Sequence, residues 1–238
     1  NGLGSKLSNA FSDLFCVETY DEKKKSLYTQ TFKNRLTIIE PPIITQEDGN
    51  GYTKIVFTPN YKALGYKKYT PEIGKNIYKL IEMRAFQTAA FVGKACTIYF
   101  DRAPLTFEGG KSPFNQFAEM FLTNEYGIYS TTLIHPTNKK LNMDICIGIS
   151  DDKFRNASII NGISVYEGGT HIKYITSKIC EHITPKIESK LKELKSQAKI
   201  QPSVITNNLI IITRFSIVNP DFPSQCKEKL ENPLETYK

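Results

Sequence analysis

The first third of the chain has the apolar pattern of a short helix followed by paired strands. Three apolar residues share one face of the helix: Leu3, Leu7 and Phe11. Three segments alternate as half-buried strands do: 14–20, 26–32 and 52–57. The charged residues 21–25 between the first two make them a hairpin. We therefore predict an antiparallel meander beside at least one helix.

A long helix is predicted over 72–92, because Pro71 suits a first helical turn. The residues predicted to form its buried face recur every three or four positions: Ile73, Ile77, Leu80, Ile81, Met83, Ala85 and Ala89. A strand at 96–100 and a tight turn at 101–104 follow. The glycine-rich segment 109–113 is the best candidate for a domain boundary.

The second half is predicted to combine strands with the longest helix of the chain. A short helix and three strand segments come first: 114–122, 127–134, 141–149 and 157–165. An apolar stripe then marks the long helix: Ile172, Ile175, Ile179, Ile183, Ile187, Leu191 and Leu194. Pro185 is expected to kink it. The apolar run 208–218 predicts a strand buried on both faces, and Ser224 is expected to cap a short helix ending near Leu230.

These elements predict an α+β fold with two domains, 1–110 and 111–238. The 238 residues include 14 Phe and 13 Tyr, enough for a sizeable core. No apolar run reaches the roughly 18 residues that a membrane-spanning helix needs, so we expect no membrane association. The chain has neither an initiator Met nor a signal peptide, and we expect a fragment whose upstream part is missing.

Cysteine, histidine and charge set further bounds. The five cysteines are odd in number and scattered, which favours reduced thiols in an intracellular protein over disulfides or zinc. The three histidines lack metal-ligand spacing, and we expect His171 and His182 to be packing or helix-surface residues. The formal net charge of +7 is compatible with nucleic-acid binding without requiring it.

The first six residues are a candidate phosphate site: Asn1, Gly2, Leu3, Gly4, Ser5 and Lys6. The two glycines allow positive φ angles and close approach of the backbone to a ligand. The helix that follows would aim its N–H groups and positive dipole end at an anion, and Lys6 would add a charge. The alternative is an ordinary turn before an amphipathic helix.

A second candidate lies in the loop 219–227, which closes the last buried strand. Pro220 and Pro223 restrict its backbone. Such a stiff loop could present Gln225 and Lys227 to an anion, and the alternative is a solvated loop with an incidental lysine.

Together these segments resemble the ATPase region of eukaryotic-type (type IIA) DNA topoisomerases II. Residues 1–12 resemble the final glycine motif of the ATP lid, and Met83-Arg84-Ala85-Phe86 matches the last large helix of the ATP-binding domain. The segments 158–162 and 168–174 resemble the signature entering the long transducer helix. The loop 219–227 resembles the one carrying the switch lysine, although Cys226 stands where threonine is usual.

The resemblance implies that residues 1–110 are the C-terminal portion of a GHKL-type ATP-binding domain. Residues 111–238 would be the transducer domain, with a left-handed βαβ crossover (ribosomal S5 domain 2-like). The segment from Asn1 to Lys6 would wrap the triphosphate of ATP. Lys227, with Gln225 and Cys226 beside it, would reach the γ-phosphate as the switch lysine.

The resemblance also implies a homodimer that passes double-stranded DNA through a break, with Mg²⁺ as a cofactor. The general base (a glutamate) and the Mg²⁺ ligand (an asparagine) would lie upstream, and the DNA-cleaving tyrosine downstream, so no metal ligand is assigned. Carboxylates such as Asp144 are expected to be single surface residues. The protein would act in the nucleus or, since the Lys-, Ile- and Asn-rich composition suits a large DNA virus, in a viral factory in the host cytoplasm.

For DNA contact the candidates are Lys192, Lys195 and Lys199, near the end of the long helix. In the family, a lysine-bearing loop in this region faces the DNA path, and such contacts would be to phosphates. The alternative is a solvated helical face with pairs such as Glu188–Lys192.

Two other functions remain open from the sequence. One is another GHKL ATPase clamp, of the mismatch-repair or chaperone type, which shares the fold but not strand passage. The other is a non-catalytic nucleic-acid-binding module, in which the glycine segment and the terminal lysine are incidental.

Overall fold

The computed structural model of the chain describes residues 2–107, 112–121, 128–134, 141–151 and 153–237. These residues form two compact units, one up to Ile77 and one from Tyr78 onward, and the division falls inside a long helix. The domain boundary predicted at 110/111 lies outside the described residues and stays a prediction.

Within its described residues, the first unit holds a short helix and five antiparallel strands ahead of the long helix. They are α1 (Leu3–Ala10), β1 (Ser12–Asp21), β2 (Ser26–Lys33), β3 (Ile38–Ile39), β4 (Ile43–Gln46) and β5 (Tyr52–Pro59). The β1–β2 hairpin is confirmed. The simple meander is wrong, because β5 pairs with β1 and not with β4. Strands β3 and β4 pair with opposite ends of β2 and fill that edge, so β5 uses the other edge of β1.

Aromatic packing centres this sheet on β1. The ring of Phe15 is buried and lies 6.3 Å from the ring of Phe32 on β2 and 6.2 Å from that of Phe57 on β5. The backbone N–H of Asn60 donates to the carbonyl of Phe11 at 2.7 Å. The end of α1 is thereby held at the end of the sheet.

The long helix predicted over 72–92 is confirmed as α2 (Pro71–Val92). Its predicted buried face is wrong over the middle turns, where Leu80, Ile81 and Met83 are 50%, 53% and 40% exposed. The buried residues lie further on: Gln87, Ala89 and Ala90. Periodicity identifies residues that share a face, but their burial depends on what covers that face. Only the last turns of α2 meet the core of the second unit.

The second unit carries most of the helices and a second sheet. After α2 its described elements are β6 (Tyr99–Phe100), β7 (Ala103–Pro104), α3 (Pro113–Glu119), β8 (Ile128–Ile134), β9 (Asn142–Ile149), β10 (Arg155–Ile160), β11 (Ile163–Val165), α4 (Thr170–Glu193), α5 (Pro202–Asn207) and β12 (Leu209–Phe215), with 3₁₀ turns at Gly93–Ala95 and Leu234–Tyr237. The strand predicted at 96–100 shortens to β6. Helix α5 was not predicted, although Pro202 at its start is a typical helix opening.

The second sheet has the strand order β11-β10-β12-β9-β8. Strands β10 and β12 are parallel and are joined through α4, and the other neighbours are antiparallel. Asn161 and Gly162, with φ angles of 51° and 76°, form the two-residue turn between β10 and β11. Strand β12 is buried on both faces, as predicted: Ile211 faces the core under α4, and Ile212 faces the core beside α2 and α3.

The apolar stripe of α4 is confirmed over most of its length. Ile172 and Ile175 are buried, and Ile179, Ile183 and Ile187 pack at the edge of the same core. The predicted stripe extends too far toward the C-terminus, because Leu194 lies beyond the end of the helix and is 69% exposed. Pro185 lies inside α4, and the kink expected there stays a prediction. Among the described residues, no helix is long and apolar enough to cross a bilayer.

Candidate functional site

The N-terminus of α1 is an open helix end. Gly2 precedes the helix with φ 62°, whereas Gly4 and Ser5 already lie in the first turn, so the predicted glycine loop is shorter than expected. No described side chain caps the helix, and its first turn contains no acidic residue. A Cβ added at Gly2 or Gly4 would meet no described atom within 4 Å. Asn1 lies outside the described residues.

The other end of α1 is fixed in place. Asn9 is buried, and the Ser12 hydroxyl donates to the carbonyl of Ser8 at 2.5 Å. Lys6 is exposed and makes no ion pair with a described residue. An anchored helix with a free, positively polarised N-terminus and a nearby ammonium group has the chemistry of an anion site.

In the second unit, residues 224–227 form a tight turn, which we call the Lys227 turn. The N–H of Lys227 donates to the carbonyl of Ser224 at 3.1 Å, and Lys227 has a left-handed φ of 58°. Gln225 and Cys226 are exposed, and Lys227 is half-buried. The short helix predicted to start at Ser224 is wrong, because a left-handed residue at 227 ends the first turn before a helix can continue.

The base of the Lys227 turn is paired with the start of α4. The N–H of Glu167 donates to the carbonyl of Glu228 at 2.9 Å, and the N–H of Leu230 donates to the carbonyl of Gly168 at 3.0 Å. The N–H of Thr170 then donates to the carbonyl of Leu230 at 3.0 Å. These three backbone bonds position the turn relative to α4.

The loop that carries the turn is also closed on itself. Asn232 is buried; its Oδ1 accepts from the N–H of Asp221 at 2.9 Å, and its Nδ2 donates to the carbonyl of Asn219 at 3.1 Å. The N–H of Glu231 donates to the carbonyl of Asp221 at 2.8 Å. Hydrogen bonds of an amide side chain and of the backbone therefore hold this loop in addition to its two prolines, and its stiffness stays a prediction.

The three candidate DNA-binding lysines lie at the C-terminal end of α4 and just beyond it. Lys192, Lys195 and Lys199 are exposed, and none forms an ion pair with any residue that the structure describes. Lys190, by contrast, pairs with Glu193 at 2.6 Å. The end of the helix therefore presents uncompensated positive charge, and the helix dipole stabilises cations there.

Asp144 is not a single surface residue, which corrects the expectation from the sequence. Its carboxylate accepts hydrogen bonds from Arg214 Nε at 2.9 Å and from the Thr132 hydroxyl at 2.7 Å. Arg214 also donates to the carbonyl of Ala90 at 2.6 Å, and its guanidinium carbon lies 5.1 Å from the centre of the Phe114 ring. Strand alternation gives no signal of this cluster, which joins β9 and β12 to the end of α2.

His171 is a buried packing residue, in agreement with the sequence analysis. Its side chain is fully buried, Nε2 lies 2.8 Å from the Ser158 hydroxyl, and the ring lies 5.5 Å from that of Phe215. Burial lowers the pKa of His171 to about 3, so the imidazole is neutral.

We expect this histidine to make the protein less stable below neutral pH. The unfolded chain takes up a proton at His171 near its ordinary pKa of 6.5, whereas the folded protein resists protonation down to about pH 3. The contribution of neutral His171 to the free energy of unfolding is complete above pH 6.5. It is lost as the pH falls, and the loss reaches about 2 kcal/mol at pH 5. Denaturant unfolding at pH 7.5 and pH 5 measures it. His171→Asn should reduce the difference in unfolding free energy between the two pH values, whereas His182→Asn, at an exposed position, should leave that difference unchanged. Equal stability of the wild type at both pH values would contradict the expectation.

No metal site is found within the described ranges. They contain no cluster of three or more His, Cys, Asp or Glu side chains that could hold an ion.

Known proteins resemble this chain in sequence along its whole length. The sequence profile of the family described as DNA gyrase B matches residues 113–236, just over half of the chain. DNA topoisomerase 2 of Arabidopsis thaliana is 29% identical over 233 residues, which is 97% of this chain, and that of Saccharomyces cerevisiae is 29% identical over 250 residues, covering 100%. The chain spans only 15% and 16% of these two curated relatives.

Solved structures give the same result for the fold. The ATPase region of Saccharomyces cerevisiae topoisomerase II matches with a TM-score of 0.78 at 29% identity. The ATPase and transducer domains of DNA topoisomerase II from Balamuthia mandrillaris match with a TM-score of 0.80 at 27% identity. Both matches cover 100% of this chain and 57% of the solved one.

The fold is therefore that of a GHKL-type ATPase region, a partial ATP-binding domain followed by a transducer domain. Within that class, the chain belongs to the DNA gyrase B family.

Proposed function

We propose that the chain is part of the ATP-operated gate of a type II DNA topoisomerase. ATP binding and hydrolysis would drive dimerisation of the gate and passage of one DNA duplex through a break in another. One observation carries the proposal: the solved ATPase region of a topoisomerase II matches the whole of this chain at 29% identity.

The proposed ATP-binding residues are the six at the start of the chain and three in the Lys227 turn: Asn1, Gly2, Leu3, Gly4, Ser5, Lys6, Gln225, Cys226 and Lys227. Three features of the N-terminus of α1 support this proposal: among the described residues it has no side-chain cap, no acidic residue in its first turn, and no atom within 4 Å of a Cβ added at Gly2 or Gly4. Its N–H groups and Lys6 would bind phosphate oxygens. Bound ATP would supply the γ-phosphoryl group that is transferred to water.

Lys227, with Gln225 beside it, is proposed as the catalytic cation of this chain. Its ammonium group makes no ion pair with a described residue, so its charge is available to a phosphate. A cation fixed where negative charge develops lowers the barrier to phosphoryl transfer. If Lys227 contacts the γ-phosphate of ATP, the orientation of the domain that carries Lys227 would also depend on whether that phosphate is present.

The proposal assigns neither the general base nor the Mg²⁺ ligand to this chain. We propose that the full-length protein works as a homodimer on double-stranded DNA. Its place of action would then be the compartment that holds that DNA, the nucleus or, for a viral gene, the host cytoplasm.

Lys192, Lys195 and Lys199 are proposed to contact DNA phosphates. Replacing all three with alanine is expected to weaken DNA binding of the full-length protein by about several hundredfold at roughly 0.1 M salt, because three phosphate contacts are lost. The slope of log affinity against log salt would become shallower by about 3, because each lost phosphate contact removes about 0.9. Fluorescence anisotropy with a DNA duplex at several salt concentrations measures both quantities.

The matched control for this triple variant is Lys178→Ala on the same helix. Lys178 already pairs with Glu181 at 2.7 Å, so its loss should leave the salt slope unchanged. Equal slopes for the wild type and the triple variant would show that these lysines make no contacts with DNA phosphates.

The activity itself is tested by measuring ATP hydrolysis of the full-length protein with and without duplex DNA. We expect hydrolysis that DNA stimulates. Absence of hydrolysis, or hydrolysis that DNA does not change, would argue against a DNA-passage gate.

A further inference from the structure

A tyrosine just before α4 contacts the residue that follows the Lys227 turn. Tyr166 lies between β11 and α4, and its side chain is 53% exposed although it is large and aromatic. Its hydroxyl donates a hydrogen bond to the carboxylate of Glu228, the residue that follows Lys227. This contact adds a side-chain bond to the backbone pairing described above.

The charges around the turn are paired in a specific way. Glu228 is bound to Tyr166, and Lys229 pairs with Glu231 at 2.5 Å. The ammonium of Lys227, by contrast, has neither an ion pair nor a side-chain hydrogen bond among the described residues, whereas its two neighbours are both engaged. The carboxylate adjacent in sequence to the proposed catalytic cation is therefore engaged elsewhere, and the cation remains free.

The hydroxyl of Tyr166 is suited to hold this carboxylate permanently. The hydrogen bond to Glu228, partial burial and the nearby Glu228 and Glu167 charges raise the pKa of Tyr166 to about 12. The phenol is therefore protonated, and able to donate, throughout the physiological pH range.

We propose that Tyr166 is a positioning residue for ATP hydrolysis: by binding the carboxylate of Glu228, it prevents that group from pairing with the ammonium of Lys227. The inference rests on the proposed role of Lys227. A carboxylate released on the residue next to Lys227 would compete with phosphate oxygens for the ammonium group, because opposite charges attract strongly at short range. Tyr166 therefore acts through Glu228 and touches no phosphate itself.

The test uses Tyr166→Phe in the full-length protein, which keeps the ring and removes only the hydroxyl. The expected result is a fall of about fivefold in kcat for ATP hydrolysis, with the KM for ATP changed less than about twofold. Thermal unfolding would be almost unchanged, since the side chain is half exposed.

Rescue separates this role from a merely structural one. Glu228→Gln removes the competing charge, so Tyr166→Phe/Glu228→Gln should recover the wild-type kcat, and Glu228→Gln alone should not lower it. In a Lys227→Ala background, Tyr166→Phe should have no further effect. An unchanged kcat in Tyr166→Phe, or failure of Glu228→Gln to rescue it, would overturn the inference while leaving the role of Lys227 intact. An unchanged kcat in Lys227→Ala would overturn both.

Discussion

Replacing Lys227 with alanine is expected to lower the rate of ATP hydrolysis by the full-length protein about a thousandfold. The ammonium group lies on a turn fixed by backbone bonds to the start of α4, and no described carboxylate neutralises it. Removing a preorganised charge of this kind affects the transition state more than the bound nucleotide. Binding of ATP should therefore change only a few-fold, as measured by steady-state kinetics beside nucleotide-binding titrations.

The matched control for this variant is Lys229→Ala. Lys229 lies two residues further on and pairs with Glu231, so its loss removes a lysine from the same loop without removing the free charge. Its hydrolysis rate should stay within about twofold of the wild type. If Lys227→Ala and Lys229→Ala hydrolyse ATP equally fast, Lys227 does not act at the γ-phosphate.

Replacing Gly169 with alanine is expected to have the largest effect on stability, a loss of about 3 kcal/mol or more in the free energy of unfolding. Gly169 precedes α4 with a φ of 138°, which L side chains rarely adopt. Its added Cβ would lie 2.1 Å from the carbonyl oxygen of Leu230 and 2.7 Å from its nitrogen. Both contacts are with backbone, so the pairing between the start of α4 and Leu230 must open. Thermal unfolding measures the loss of stability, and hydrogen exchange of residues 224–232 measures the opening of the backbone pairing.

A suitable control is Gly49→Ala, in a surface loop. Gly49 does not have a left-handed φ, and its added Cβ would meet the Tyr20 ring at an ordinary 3.4 Å. Its unfolding temperature should remain near that of the wild type. A Gly169→Ala protein as stable as this control, with unchanged exchange at 224–232, would show that the close approach at Leu230 does not constrain the loop.

The sequence predicts best those elements whose pattern is local. Strand β12 and helix α4 are confirmed because their apolar runs are long. The segment 157–165 was predicted as one β-rich segment, but the turn at Asn161 and Gly162 divides it into β10 and β11. The predicted burial of the middle of α2 was wrong, because Leu80 and Ile81 have a helical pattern but nothing covers them. Periodicity does not reveal which neighbour covers a face.

For the candidate site, the sequence suggested the residues but not their support. Gln225 and Lys227 are predicted from the two prolines that precede them in the loop and from the resemblance of the segment to a known motif. The amide of Asn232, the approach of Gly169 to Leu230 and the Tyr166–Glu228 bond join residues 11 to 62 positions apart. Such contacts depend on the tertiary fold, and a single sequence contains no local signal for them.

The most direct test of the proposed function is the change in linking number of a single supercoiled plasmid topoisomer incubated with the full-length protein. Passing one duplex through another changes the linking number by two, so we predict steps of two that require ATP and that Lys227→Ala abolishes. A GHKL clamp of another kind would hydrolyse ATP and leave the linking number unchanged. That result, or steps of one, would contradict the assignment of this chain to a type II topoisomerase gate.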